Sequence, residues 1–214
     1  RLADDLDMEV VAGVPPDAFS KTGQRWGNPI YRWDVLAARG YDWWVERMRW
    51  ALRACDIVRL DHFRGFDQYW EIPATEPTAV HGSWVDGPRD GLFDALRRAF
   101  GDLPLIAEDL GFITPEVHAL RQRLGVPGMC VMQFGFGDPG AEIHLPHRFV
   151  PNTVVYTGTH DNDTTRGWWE SQATPEERQK AGEYLAPGSD GIHWAFIRAA
   201  ETSVADLCVI PLQD

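Results

Sequence analysis

The sequence predicts a parallel α/β fold, arranged as a barrel rather than an open sheet. Three observations carry this. Short apolar runs alternate with amphipathic helical segments, the rhythm of strand–helix units in a parallel sheet. Acidic residues follow directly on three of these runs, as they do at the C-terminal mouth of an α/β barrel. The 214 residues suffice for one sizeable core, and no internal repeat or linker divides them. Five apolar runs cannot close eight strands, so the expectation is an incomplete (β/α)8 barrel.

The elements follow in order. Residues 1–40 read as irregular. Gly13-Val14-Pro15-Pro16-Asp17-Ala18-Phe19-Ser20 cannot be a helix interior because of its prolines, and Gly23-Gln24-Arg25-Trp26-Gly27-Asn28-Pro29 is a second loop. A loop this long in a compact domain is usually functional, and its aromatic content argues against disorder. Asp42 is placed to cap a helix with Trp44, Met48 and Leu52 on one face. Ile57-Val58-Arg59-Leu60-Asp61 is a short strand that ends in charge. Arg59 and Asp61 have the same parity, so on a strand they share a side.

A loop-rich insertion is expected near 63–90, then a helix near 91–100 that stops at Gly101. Pro104-Leu105-Ile106-Ala107 is a second strand, ending in Glu108 and Asp109. Thr114-Pro115 opens a helix that Gly125 closes. Met129–Phe134 is a third strand. Thr153–Gly158 is a fourth, ending in Thr159-His160-Asp161-Asn162-Asp163. Thr174-Pro175-Glu176-Glu177 is a capping box. A helix is expected near 191–205 and a fifth strand over Leu207–Leu212. The division is thus a loop region over 1–40 and barrel strands over 41–214.

Net charge is −12, with 32 acids against 20 bases. That balance disfavours nucleic acid and anionic membrane as partners, because counterion release needs a basic footprint. No run approaches the roughly 18–20 apolar residues of a membrane helix. The bases are 18 Arg and two Lys, and neither lysine follows an apolar run, which disfavours Schiff-base chemistry. Cys55, Cys130 and Cys208 are odd in number and lack CxxC spacing. They read as reduced, buried thiols and favour the cytoplasm. Ten tryptophans provide flat apolar faces of the kind sugars stack on.

Acids at three strand ends converge on one face of a parallel barrel. Gathered carboxylates suit glycoside chemistry, in which one stays ionised as nucleophile and a second carries a proton. The cation of Arg59 favours the charged form of Asp61. Glu108 follows an apolar run beside other acids, and both effects raise its pKa. Asp161 and His160 are placed to grip sugar hydroxyls. The same acids and histidines could gather a divalent metal, but no HxH or HExxH spacing supports that. Gly135-Phe136-Gly137-Asp138-Pro139-Gly140 formally matches a dinucleotide loop, which Pro139 spoils.

In combination and order, several motifs resemble the 4-α-glucanotransferases, also called amylomaltases or disproportionating enzymes, of glycoside hydrolase family 77 in the α-amylase clan. The motifs are Gly13–Asp17, Gly23–Pro29, Arg59–Gly65, Ala107–Gly111, Gly125–Met129 and Gly158–Thr164. The resemblance runs from about residue 9 to the last. It implies that Asp61, Glu108 and Asp161 end strands four, five and seven of a barrel, with strands one to three not represented. It implies that Asp61 is the nucleophile, Glu108 the acid/base and Asp161 the transition-state stabiliser. Arg59 and His160 match helpers around the ring, and His62 counts with the substrate-binding residues. Asp17, Phe19, Gln24 and Trp26 match a loop that closes over substrate.

The implied activity moves α-1,4-glucan segments between maltooligosaccharides or starch-like glucans, without a cofactor. Arg89 stands where the family commonly has a small residue. The rival readings are an α-glucan hydrolase with an open cleft, a metal-dependent barrel lyase or isomerase, and an inactive glucan-binding piece. Oligomeric state has no signature in the sequence.

Overall fold

The computed structural model describes residues 8–17, 20–137 and 139–214. The chain forms two compact units, with the boundary between Val126 and Pro127.

The first unit contains β1 (Val10–Val14), β2 (Gln24–Pro29), α1 (Trp33–Ala38), α2 (Asp42–Ala51), β3 (Val58–Leu60), β4 (Gln68–Pro73), β5 (Ser83–Asp86), α3 (Arg89–Phe100), β6 (Leu105–Ala107) and α4 (Pro115–Leu124). β3 and β6 pair in parallel, with Leu60 opposite Ala107. Their apolar side chains join Trp44 and Met48 of α2, Phe93 and Leu96 of α3, and Val117 and Leu120 of α4 in one buried cluster. These helices bury residues at three- and four-residue spacing, so each presents one apolar stripe. Fully burying a side chain such as Phe93 contributes about 1.5–3 kcal/mol.

Two expectations fail here. The described part of residues 1–40 is not irregular, and the loop-rich 63–90 insertion carries two strands. Both supply strands to a four-stranded antiparallel sheet, in the order β2-β1-β4-β5. β2 is mostly exposed and carries Gly and Pro, so it lacks the alternation that marks a strand. Its partner β1 also pairs with β4, about sixty residues on, with Val11 opposite Ile72. Gly13 allows the close approach. A Cβ there would lie 2.1 Å from the Gln24 carbonyl oxygen and 2.6 Å from Ile72. Asp42 is the first residue of α2 rather than its cap, a position taken by Tyr41 at φ +58°. The Asp42 carboxylate instead accepts from the Trp43 N–H and from Arg39.

The second unit contains β7 (Gly128–Val131), β8 (Thr153–Tyr156), α5 (Thr165–Gly167) running on as a π-helical turn, α6 (Pro175–Leu185), α7 (Ile192–Glu201) and β9 (Leu207–Val209). The three strands form a parallel sheet in the order β7-β8-β9. The strand expected through Phe134 stops at Val131. Met132–Phe136 wind into a 3-10 turn that buries the adjacent Met132 and Gln133 together with Phe136, whereas a strand would send Met132 and Gln133 to opposite faces. Phe136 packs with Trp168 and Phe196. The strand expected through Leu212 ends at Val209, two residues before Pro211, which has no N–H to donate. The last helix ends at Glu201 rather than 205. The capping box forms, with Thr174 Oγ1 accepting from Glu177 N and Glu177 Oε2 accepting from Thr174 N.

None of the three cysteines is buried, although the sequence led one to expect buried thiols. Cys55 is exposed, and Cys130 and Cys208 are half-buried. Cys55 lies just past α2, with its Sγ donating to the Ala51 carbonyl. Among the described residues, no helix is long and apolar enough to cross a membrane.

Candidate active site

The first unit brings together six of the residues named from sequence: Arg59, Asp61, His62, Glu108, Trp26 and Gln24. β3 delivers Arg59 and, directly after Leu60, Asp61. β6 delivers Glu108 directly after Ala107. Parallel neighbours lie about 4.7–4.9 Å apart, so the register sets the two acids side by side at adjacent strand ends. Arg59 Nη1 donates to Asp61 Oδ1 at 2.7 Å, as the shared parity predicts. Asp61 is otherwise open to solvent, its side chain 76% exposed.

Glu108 has the opposite surroundings. It is largely buried, and both of its oxygens accept backbone N–H bonds. His62 N donates to Oε2 at 2.6 Å and Leu110 N to Oε1 at 3.1 Å. Burial raises its pKa above the ordinary carboxylate value, and the neighbouring charge of Asp61 adds to this. The two backbone donors and Arg59 pull the other way without overcoming burial. Asp109, also expected among the acids beside Glu108, is turned away and pairs with Arg121 of α4 at 3.0 Å. It holds a helix rather than serving the site.

His62 adopts a left-handed conformation, φ +48°, which turns its N–H onto Glu108. Its ring is buried, and its pKa falls to about 4, chiefly from desolvation and further from Arg64. Nε2 has no hydrogen-bond partner among the described residues. Trp26 of β2 meets this ring edge-on, with centroids 4.7 Å apart, and donates its Nε1 proton to Gln24. The antiparallel sheet therefore connects Gln24 and Trp26 to the strand end of Asp61. Asp17 closes a turn by accepting the Ser20 N–H at 2.8 Å. Phe19 lies outside the described residues.

His160 and Asp161 stand in the second unit, on the loop after β8. Their side chains lie 3.4 Å apart, and Asp161 is 74% exposed. The loop that carries them is tied down. Asn162 Oδ1 accepts from Thr159 N and Oγ1, both at 2.9 Å. Gln133 Nε2 donates to the Asp163 carbonyl. Asp214 accepts from Thr157 Oγ1, Thr165 N and Thr165 Oγ1 at 2.5–2.8 Å.

Sequence reasoning missed this brace. It also missed Arg64, which is buried between Trp84 and Phe112. Asp214 had no local signal, since it stands beyond β9 directly after Gln213 and outside any strand or helix pattern. Arg89, at φ +45°, bridges Asp67 and Asp86, both at 2.8 Å. Arg89 thus fastens the sheet to α3. A cleft of about 300 Å³ between Ile30–Asp34 and β4–β5 includes none of Asp61, Glu108 and Asp161. Among the described residues, no three His, Cys, Asp or Glu side chains gather as a metal site.

The family model for 4-alpha-glucanotransferases matches residues 3–214. The chain is 53% identical to the 4-alpha-glucanotransferase of Thermus thermophilus, over 96% of this chain and 42% of that enzyme. It is 49% identical to the chloroplastic/amyloplastic 4-alpha-glucanotransferase of Arabidopsis thaliana, over 96% of this chain and 36% of that one. The amylomaltase of Streptococcus agalactiae, solved in complex with acarbose, superposes with a TM-score of 0.93 at 40% identity, covering 99% of this chain and 43% of that one. The chain spans about two fifths of the length of these relatives. It belongs to the 4-alpha-glucanotransferase family of glycoside hydrolase family 77.

Proposed function

We propose that the protein carrying this chain is a 4-α-glucanotransferase that works by retaining double displacement. The observation that supports it most is the pairing of an exposed Asp61 with a buried, backbone-clasped Glu108 at adjacent parallel strand ends. Retaining glycosidases hold their two carboxyl groups roughly 5–5.5 Å apart, close to the spacing of neighbouring strands.

In the first step the Asp61 carboxylate attacks the anomeric carbon of a bound α-1,4-glucan. The glycosidic C–O bond breaks, and Glu108 gives its proton to the departing oxygen. A glucosyl ester on Asp61 remains. In the second step the hydroxyl of an acceptor glucan attacks that ester and passes its proton to Glu108, and Asp61 leaves. Burial suits Glu108 to this work, because it keeps the acid form present further above the ordinary carboxylate range. Asp161, with His160, holds ring hydroxyls as the sugar flattens. Arg59 orients Asp61. His62, Trp26, Gln24, Asp17 and Phe19 line the covered side of the substrate path.

The fold in this reading is an incomplete (β/α)8 barrel. Donors and acceptors are maltooligosaccharides and starch-like glucans, and the odd number of cysteines without CxxC spacing fits a reducing compartment such as the cytoplasm. Transfer rather than hydrolysis requires water to be kept from the glucosyl ester, which a Trp-lined cover does. Incubation with maltotriose tests the reading. A ladder of longer maltodextrins supports it, whereas glucose and maltose alone would point to a hydrolase. Full activity after chelation separates it from a metal-dependent lyase or isomerase.

A further inference from the structure

Arg64 follows Asp61 by three residues and is almost fully buried. Its Cζ lies 3.9 Å from the centroid of the Trp84 ring and 5.7 Å from that of Phe112. Nη1 donates to the Phe112 carbonyl oxygen at 2.6 Å. The nearby carboxylate of Asp67 bonds instead to Arg89. Arg64 is thus a cation held by rings and a carbonyl, a placement that costs desolvation energy. What it fixes is a loop. Glu108 begins that loop, Leu110 N folds back onto the Glu108 carboxylate, and Gly111 makes the turn at φ +85°. Phe112 follows, with 77% of its surface in solvent. Trp84 is 37% exposed, and it packs edge-on to its cross-strand partner Trp70.

An aromatic ring held outward by a buried guanidinium, four residues from the proposed acid/base, is a surface awaiting a flat apolar partner. We propose that Phe112, braced by Arg64 beside Trp84, is a stacking platform for sugar rings on the acceptor side of the bond cleaved. This rests on Glu108 as the acid/base. The glycosidic oxygen must come within hydrogen-bond reach of Glu108, and the sugar beyond that oxygen then lies against the loop that Glu108 opens. That sugar leaves in the first step, and its site takes the acceptor in the second. Arg64 is a positioning residue, and Phe112 a specificity-determining one.

The test compares wild type with Phe112→Ala and Phe112→Tyr in the protein carrying this chain. α-Maltosyl fluoride serves as donor and maltose as acceptor. Fluoride release needs no sugar on the acceptor side, so Phe112→Ala is expected to form the maltosyl-enzyme at the wild-type rate. KM for maltose is expected to rise about tenfold, with more hydrolysis, and Phe112→Tyr to restore it. An acceptor KM within twofold of wild type in Phe112→Ala, with a normal maltodextrin ladder, overturns the platform alone. A wild type that makes no ladder overturns the function and the platform with it. Phe112 is mostly exposed, so its truncation leaves the core untouched.

Discussion

Glu108 and Asp161 are both acids just beyond a parallel strand, yet the protein treats them oppositely. Glu108 is buried and clasped by two backbone N–H groups from separate segments. Asp161 stands in solvent, with only His160 at 3.4 Å, on a loop whose backbone is firmly tied. Under the proposed mechanism, the contrast matches two tasks that need different preparation. A proton donor needs its pKa set before substrate arrives, and burial sets it. A residue that grips hydroxyls needs only a fixed position, because the ligand itself removes the water. In the second unit the rigidity therefore lies in Thr159, Asn162, Gln133 and Asp214 rather than in the carboxylate.

The largest expected effects break the pair at the strand ends. Asp61→Asn removes the nucleophile and should abolish turnover with no change in melting temperature, since Asp61 is mostly exposed. Glu108→Gln should lower turnover of maltotriose by roughly 10²–10⁴-fold. It should lower maltosyl-enzyme formation from α-maltosyl fluoride far less, because fluoride leaves without a proton. Initial rates with the two donors measure both.

The pH profile sharpens the contrast. Glu108 must hold its proton for the first step, and its raised pKa carries that form upward in pH. kcat/KM should therefore fall on its basic limb above the ordinary carboxylate range. Asp161→Asn should lower kcat/KM without moving that limb. An Asp161→Asn profile displaced on the basic side would dissolve the distinction between the two acids.

Stability offers a smaller test, with one buried histidine in each unit. His62 and His144 both have pKa values lowered to about 4 by burial. His144 Nδ1 accepts the Val131 N–H, a bond only the neutral ring makes. Each imidazole binds its proton in the unfolded chain below about 6.5 but in the folded chain only near 4. Stability should thus rise with pH across that window and be lost as pH falls through it. Replacing either histidine by Gln should remove about one proton from the slope, read by denaturant unfolding at pH 4 to 7. Smallest of all, Arg166→Ala breaks the exposed pair with Glu170 and should leave the melting temperature essentially unchanged.

These sites differ in how legible they were. Arg59 and Asp61 could be read because parity and proximity act within three residues. The raised pKa of Glu108 could be read from the apolar run before it, although Asp61 rather than Asp109 proved the neighbouring charge that adds to it. The parallel β3–β6 and β7–β8–β9 pairings followed from the strand–helix rhythm. The β2-β1-β4-β5 sheet could not be read, because its outer strands are exposed and one pairing spans some sixty residues. For the same reason nothing local announces that Trp26 meets His62, or that Arg64 reaches Phe112 across 48 positions. Long-range contacts of this kind are set by tertiary packing, which single-residue preferences do not encode.

The central claim is that Asp61 forms the covalent bond and Glu108 moves the proton. Glu108→Gln separates the two roles, because an activated donor can load Asp61 while the second step lacks its base. The protein should be mixed with α-maltosyl fluoride, quenched, digested and analysed by mass spectrometry. A maltosyl adduct on the peptide containing Asp61 is the predicted result. An adduct on a different residue, or turnover with inverted anomeric configuration and no adduct, would contradict it.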